Sequence, residues 1–402
     1  MKPEAAMRSA LAKARRAAGT TFPNPAVGAV VIRGDQVLGR GATQPYGGAH
    51  AEVMALAAAT RRAGATSLRG ATLAVTLEPC CFTGQTGPCT EAILAAGIRR
   101  VFVGCRDPHA RVRGRGIAKL RRAGVTVEVG VLEDACREHH RGFFSLCNRG
   151  RPFVTLKLAT TLDGQIATAA GESRWITGSA SREWVHRLRS QSDAVMVGSG
   201  TALADDPELS ARLGGKVVQR PVRVLVDSKL RLRPGAKLYR GLLPRSGSQA
   251  ADFKTWVLCG AGARGRKAIE ATGARLINVP AAGGHLDLRA ALDQLGEAGL
   301  TTLLVEGGGE LAAALLRADR VDEIHWIQAP ILIGKDGRSA LGELSLPRLR
   351  DAVRLADVVV RRRGDDIHIR ARVRPSQGKG VRKASDQVRG KGGRSGKGMN
   401  NP

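Results

Sequence analysis

One histidine, two cysteines and one glutamate stand at spacings that can hold a metal ion and move a proton. His50-Ala51-Glu52 is followed by Glu78-Pro79-Cys80 and then by Cys89. An imidazole and two thiolates fill three corners of a tetrahedral zinc and leave the fourth for water, the make-up of a catalytic site. Zinc lowers the pKa of such a water from about 15.7 to about 7, so a nucleophile is available at neutral pH. Glu52 is placed beside the metal without being a ligand. It suits carriage of a proton from water to a departing amine, as in zinc deaminases acting on nucleobases.

Local geometry agrees. Residues two apart on a regular helix point to nearly opposite sides, so His50 is expected at the entrance of a helix, before regular geometry begins. A strand ending at Pro79 delivers Cys80 to the same edge. Cys89 then arrives at the start of the next helix, where the helix N-terminus favours a thiolate. Cys81 is set aside because consecutive side chains diverge. The bland alternative is a chance His-x-Glu with cysteines acting as small core hydrophobes. It suits Cys105, Cys136, Cys147 and Cys259, but not two cysteines in a Gly/Pro loop behind a strand.

The elements that must position these groups alternate. Residues 26–43 read as a hairpin turning at Arg33-Gly34-Asp35, and His50 opens an Ala-rich helix. Then come a strand over 71–79, a short helix over 90–96, a strand RRVFVGC, a helix ending at Gly124, a strand VTVEVG and one helix from Leu132 to about Cys147. This alternation predicts a layered α/β sheet. The polar stretch 148–152 is the best boundary, giving units at 1–147 and 152–374. The second unit predicts strands at FVTLKLAT, DAVMVGSG, VRVLVDS, TWVLCG, ARLINVP, TTLLVEGGG and EIHWIQAPILIG, with helices at 180–190 and 287–298. Arg231 to Asp252 reads as a surface excursion. Residues 375–402 have almost no apolar side chains and are expected to form a disordered, basic, dispensable tail.

Bulk properties narrow the class. With 402 residues the chain suits two domains, and aromatic residues make up only 3%, so the cores must be aliphatic. No run of about 18 uncharged apolar residues exists, so no membrane span is expected. Met1 to Ala18 reads as an amphipathic helix and not as a secretory signal. Seven cysteines, an odd number with no secretion signal, point to a reducing compartment, and a cytoplasmic location is expected. The net charge of +29 is compatible with nucleic acid, with anionic small substrates or with a basic proteome. Specific nucleic-acid binding is the disfavoured reading, since aromatic platforms for stacking bases are scarce. A homo-oligomer is expected.

Several segments occur in one order: PNPAVGAVV (23–31), GGAHAEVMAL (47–56), TLEPC (76–80), TGQTGPC (83–89), AAGIRRV (95–101) and GRGIAKL (114–120). In the second half stand KLATTLDGQIA (157–167), GESRWITG (171–178), LRSQSDAVMVGSGTALADDPELS (188–210), VRVLVDS (222–228) and LLVEGGGELAAALL (303–316). Together, over about residues 5–370, they resemble the bifunctional riboflavin-biosynthesis deaminase/reductase family. The resemblance implies a cytidine-deaminase-like α/β domain followed by a dihydrofolate-reductase-like α/β domain. It implies hydrolysis of the exocyclic amine of a phosphoribosylamino-pyrimidine, a small-molecule substrate, and then reduction of its ribosyl group to ribityl with NADPH.

By that resemblance the zinc ligands fall on His50, Cys80 and Cys89 and the proton carrier on Glu52. Dinucleotide contacts fall on Ala159, Trp175, Thr201, Asp205, Ser228, Gly308 and Gly309. Substrate contacts fall on Ser173, Arg189, Leu209, Arg212 and Glu306. Independently, the strand TTLLVEG, then Gly307-Gly308-Gly309 and a helix make a weak phosphate-cradle signal. Arg189 and Arg212 suit a bidentate grip on phosphate. Lys157 reads either as a neighbour of the hydride-transfer site or as a plain strand lysine.

The chain departs from the pattern in the deaminase loop, at Phe82, at Gln85 and at His109 of Asp107-Pro108-His109. Groups expected to touch base and phosphate have changed while the metal set is intact. An altered or slow deaminase is therefore one alternative reading, and a tRNA-type nucleic-acid deaminase another.

Overall fold

The computed structural model describes residues 1–242 and 254–375. Apart from Pro375, the expected tail lies outside the described residues, and so do residues 243–253 of the expected surface excursion.

The first unit comprises α1 (Pro3–Ala17), β1 (Gly28–Arg33), β2 (Gln36–Ala42), α2 (Ala51–Ala63), β3 (Thr72–Leu77) and α3 (Cys89–Ala95). It continues with β4 (Arg100–Cys105), α4 (Arg115–Arg122), β5 (Thr126–Val129), α5 (Glu133–His139) and α6 (Arg141–Arg149). The sheet order is β2-β1-β3-β4-β5. The first two pairings are antiparallel and the last two parallel. Val30, Val31, Leu73, Val75, Val101 and Val103 are buried, as a strand covered on both faces requires.

Two helices approach the sheet closely because glycines leave room. A Cβ on Gly28 would lie 2.0 Å from the Ala10 carbonyl oxygen, and one on Gly41 would lie 2.2 Å from that of Ala51. Gly28 pairs with Ala42, the neighbour of Gly41, so these two glycines look to opposite faces. Hence α1 and α2 cover opposite sides of the sheet. Gly41 seats the very turn of α2 that follows His50.

The second unit opens with β6 (Phe153–Thr161), β7 (Gln165–Ala167), α7 (Ser179–Ser190), β8 (Ala194–Gly198), α8 (Ser199–Asp205), β9 (Ala211–Leu213), β10 (Lys216–Gln219) and β11 (Val222–Val226). Then follow β12 (Thr255–Cys259), α9 (Arg266–Glu270), β13 (Arg275–Asn278), β14 (Ala281–Ala282), β15 (His285–Leu286), α10 (Leu288–Glu297) and β16 (Thr302–Val305). The unit ends with α11 (Gly309–Arg317), β17 (Glu323–Ala329), β18 (Arg338–Ser339), β19 (Leu355–Arg363) and β20 (Asp366–Val373). Its nine-stranded sheet runs β13-β12-β11-β8-β16-β6-β17-β20-β19. All strands from β13 to β17 are parallel, and β20 and β19 add antiparallel. The carboxyl ends of the parallel strands therefore share one edge, where ligands bind in open α/β sheets.

Four expectations change. The single helix from Leu132 is two, broken at His140, whose buried ring lies 3.0 Å from Thr76 Oγ1. The strand expected to run through VGSG stops at Gly198, and α8 begins at Ser199. The strand expected through PILIG stops at Ala329, and the closing hairpin of β19 and β20 adds two strands. The front of the excursion is not surface: Leu232, Leu238, Tyr239 and Leu242 are buried. Fully buried Arg223 holds it by donating to the carbonyls of Lys237 and Arg240 at 3.2 and 2.8 Å.

The two units meet along a charged seam. Arg149 and Arg151 pair with Asp322 at 2.6 and 2.8 Å, and Arg141 lies 3.3 Å from Glu323. Glu138 of α5 pairs with Arg370 and Arg372 of β20. Gly142 packs on Thr301, where a Cβ would meet the carbonyl oxygen at 2.9 Å.

Candidate functional site

His50 is the N-cap of α2, with extended backbone angles (φ −74°, ψ 163°), so its ring leaves the helix axis while Glu52 sits in the first turn. Cys80 follows the end of β3, and Cys89 is the first residue of α3. His50 Nδ1 lies 3.3 Å from Cys89 Sγ and 3.6 Å from Cys80 Sγ. The three ligand atoms all fall within 4.8 Å of one another. A tetrahedral zinc with ordinary bond lengths separates nitrogen from sulfur by about 3.6 Å and sulfur from sulfur by about 3.8 Å. The donor set and its spacing therefore fit zinc.

Cys80 and Cys89 are hydrogen-bonded to each other. Hydrogen bonding from Cys89, aided by His50, holds Cys80 down to about 4, whereas the same hydrogen bond and burial push Cys89 up. The Cys89 backbone N–H donates to Cys80 Sγ at 3.3 Å, so α3 also steadies the thiolate. Glu52 is buried, and desolvation together with the Cys80 charge raises its carboxyl to about 7. A group balanced between its two forms near neutrality is suited to proton exchange.

Glu78 explains why the Cys80 loop sits where it does. Its carboxylate is buried and accepts three backbone N–H groups, from Asp107 (3.2 Å), Gly114 (2.9 Å) and Ile117 (3.1 Å). It therefore ties the end of β3 to the loop after β4 and to the start of α4. A Cβ on Gly116 would lie 2.0 Å from the Pro79 carbonyl oxygen, so α4 packs directly on the loop. The residue names showed the Glu-Pro-Cys run but gave Glu78 no task. Its partners lie 29 to 39 positions away, beyond the reach of local spacing.

At the rim of this site, Phe82 stacks near His109 with ring centroids 6.3 Å apart, and the Arg111 guanidinium lies 3.8 Å over the Phe82 ring. Gln85 Nε2 reaches Tyr46 Oη at 3.4 Å. Two of the positions that depart from the resembled pattern, Phe82 and His109, thus lie together beside the loop of Cys80.

In the second unit the candidate residues gather at the carboxyl edge of the sheet. Arg189 of α7 grips Glu306, just beyond β16, through Nε at 2.5 Å and Nη2 at 2.9 Å. Its Nη1 donates to the Ser210 carbonyl at 3.2 Å. Burial opposes the Glu306 charge, but Arg189 outweighs it and holds the carboxyl below its usual range. Lys157 of β6 belongs to the same cluster: burial lowers its pKa and Glu306 partly restores it. Arg212, exposed, pairs with Glu208, and its backbone N–H donates to His186 of α7. Leu209 is buried at φ +58° beside Ser210.

The dinucleotide candidates follow the same edge. Gly308 caps α11 with no side-chain hydrogen bond at the cap, and its N–H donates to Thr201 Oγ1 of α8 at 3.0 Å. A Cβ on Gly309 would lie 2.8 Å from the Ser339 carbonyl oxygen. The N-terminus of α11 thus sits between Thr201 and the 339–342 backbone, and its helix dipole favours an anion. Asp205 ends α8, and its carbonyl accepts from Arg174, which ties the segment of Ser173 and Trp175 to that helix. Trp175 is 70% exposed and stacks with Arg182. Ser228 follows β11, and its carbonyl accepts from Gly260. Ala159 lies in register with Ile327 on β6. No helix among the described residues is long and apolar enough to cross a membrane.

Known proteins share this arrangement. Residues 1–105 match the family described as the cytidine and deoxycytidylate deaminase zinc-binding region, and residues 152–369 match the RibD C-terminal domain. The chain is 38% identical over 369 residues to the riboflavin biosynthesis protein RibD of Bacillus amyloliquefaciens, covering 91% of this chain and 95% of that protein. It is 36% identical to the RibD protein of Escherichia coli strain K12, covering 91% and 98%. A solved structure of Acinetobacter baumannii RibD superposes with a TM-score of 0.80 at 33% identity, covering 92% of this chain and 99% of the other. A second, a diaminohydroxyphosphoribosylaminopyrimidine deaminase/5-amino-6-(5-phosphoribosylamino)uracil reductase of Thermotoga maritima, gives 0.77 at 32% identity, covering 92% and 98%.

Proposed function

The chain belongs to the RibD family of riboflavin-biosynthesis enzymes, and from that premise we propose how its residues divide two successive reactions. It is a bifunctional deaminase/reductase, with zinc serving the first half and NADPH the second. The observation that carries the site assignment is the convergence of His50, Cys80 and Cys89 beside buried Glu52.

In the first reaction His50, Cys80 and Cys89 hold the zinc, which when bound supplies a water of lowered pKa. Glu52 takes a proton at its carboxylate and returns it to the exocyclic nitrogen of the aminopyrimidine, which leaves as ammonia while oxygen takes its place. A carboxyl near 7 can do both. Glu78 keeps Cys80 in register through its three backbone partners.

In the second reaction NADPH, when bound, would supply a hydride to the anomeric carbon of the ribosyl group, while the ring oxygen leaves that carbon and takes up a proton from water, giving ribityl. Gly308, Gly309 and Thr201 cradle the pyrophosphate, with Ala159, Trp175, Asp205 and Ser228 along the same edge. Ser173, Arg189, Leu209, Arg212 and Glu306 face the substrate. The Arg189–Glu306 pair divides the work of the two arginines. With two of its nitrogens on largely buried Glu306, Arg189 is suited to fixing that carboxylate, and Arg212, whose pair with Glu208 is exposed, is the cation better placed for the phosphate.

None of the seven cysteines is paired in a disulfide, which favours a reducing cytoplasm. The outer strand β19 exposes Val358, Val359 and Val360. An uncovered apolar edge favours self-association, so the active species is a homo-oligomer, to be read by sedimentation at micromolar concentration. Ammonia release followed by NADPH oxidation on the purified chain tests the whole assignment. A chain that oxidises NADPH with the deaminated intermediate but never releases ammonia is instead a reductase with an idle first half.

A further inference from the structure

The deaminase substrate carries a phosphate at the far end of its ribosyl arm, and neither the metal ligands nor Glu52 can meet it. The floor of that site is closed: Glu52 and Cys89 are buried, and Glu78 and Asp107 are buried carboxylates behind the metal loop. A phosphate dianion is too costly to desolvate in such a floor. It must stay at the rim, where half-buried Phe82 and His109 stack beside the metal loop.

Arg111 stands at that rim and is held there three ways. The Cys81 thiol donates to its carbonyl at 3.8 Å, and its guanidinium lies 3.8 Å over the ring of Phe82. The Arg111 backbone N–H donates to His109 Nδ1 at 3.3 Å. Phe82 is only two residues from the ligand Cys80, a span of at most about 7 Å. Stacked on an aromatic face, a guanidinium keeps its in-plane N–H donors outward. Among the described residues none of those donors makes a hydrogen bond or ion pair. The neighbouring Arg113, by contrast, donates to the Pro108 carbonyl at 3.0 Å, and Lys119 is paired with Glu91.

We propose that Arg111, oriented by Phe82, is the phosphate-recognition residue of the deaminase site. Phe82 at a rim position then serves as a platform that fixes a cation arriving from the loop after β4. The inference rests on the deaminase assignment above. It turns the departures at Phe82 and His109 from a sign of a weakened deaminase into a rebuilt phosphate grip.

The test compares the phosphoribosylamino-pyrimidine with the same compound lacking its phosphate, timing ammonia release by the full chain and by Arg111→Ala. We expect kcat/KM to fall by about 10- to 100-fold for the phosphorylated compound, carried by KM, the scale of losing a charge-assisted hydrogen-bond pair. The dephosphorylated compound should show no change, and NADPH oxidation and zinc content should stay at wild-type values. Where the dephosphorylated compound turns over too slowly to time, ribose 5-phosphate serves as competitor, and its inhibition constant for deamination should rise by the same factor. Arg111→Gln, which keeps a long polar side chain but removes the charge, should behave like Arg111→Ala and covers the case in which the alanine variant misfolds. Equal losses on both compounds, an unchanged inhibition constant, or no loss at all would overturn the proposal. Failure of the wild-type chain to release ammonia would instead defeat the deaminase assignment.

Discussion

Arg189 and Glu306, 117 positions apart in the chain, meet through two parallel nitrogen–oxygen contacts of 2.5 and 2.9 Å at the carboxyl edge of the larger sheet. Each was expected to touch substrate, yet each is the other's main partner. Removing one strands the other in a largely desolvated place. Arg189→Ala should cost about 3 kcal/mol of stability, the scale for breaking a buried pair. It should also lower reductase kcat/KM by at least about 100-fold while ammonia release is preserved. Parallel denaturant titrations and the two separate assays check both parts.

Glu78 gives a second prediction. Its three backbone donors lose their acceptor in Glu78→Ala, and a buried unsatisfied group costs about 1–3 kcal/mol. Because those donors fix the loop that presents Cys80, the variant should hold zinc at least about tenfold more weakly. Glu78→Gln, which keeps one acceptor oxygen, should fall between. Replacement of zinc by cobalt provides the readout, since the thiolate charge-transfer absorption reports Cys80 and Cys89 directly. NADPH oxidation should be unaffected.

How much of this was legible in the residues depends on the range of the contacts. His50 at a helix entrance, Cys80 after a strand and Cys89 opening a helix follow from local spacing, and the structure places all three so. The alternation of the first unit was equally plain, because its central strands β1, β3 and β4 are apolar and buried on both faces. Contacts at long range were not legible. The break at His140 depends on Thr76, 64 positions away, and the folding-in of Leu238 and Tyr239 depends on Arg223. The hairpin of β19 and β20 escaped because β19 shows no alternation. Val358, Val359 and Val360 are all exposed, and a register shift lies between Ala356 and Val359.

The seam between the units gives a pH prediction. Arg363 Nε donates to His368 Nδ1 at 2.9 Å, His368 Nε2 lies 2.8 Å from His325 Nδ1, and His325 Nε2 lies 3.0 Å from Glu323. Only two neutral rings let each nitrogen in this chain find a complementary partner. Burial lowers both histidines, His368 to about 3. The unfolded chain therefore binds protons that the folded one refuses, and stability falls as pH drops from about 6.5 toward 3. In His368→Asn this contribution vanishes. The variant should lose stability near pH 7.5, and its deficit relative to the native chain should shrink on acidification. Melting temperatures of both proteins at pH 7.5, 6.0 and 5.0 read the difference directly.

The central claim is that one metal, three side chains and an unbound acid make the first half a hydrolytic site. Its most direct test is zinc content and ammonia release measured together on the native chain, Cys89→Ser and Glu52→Ala. We predict about one zinc per native chain with ammonia released, loss of both in Cys89→Ser, and a Glu52→Ala protein that retains its zinc but releases ammonia at least about 100-fold more slowly. Undiminished ammonia release from Glu52→Ala, or from a chain stripped of zinc, would contradict it.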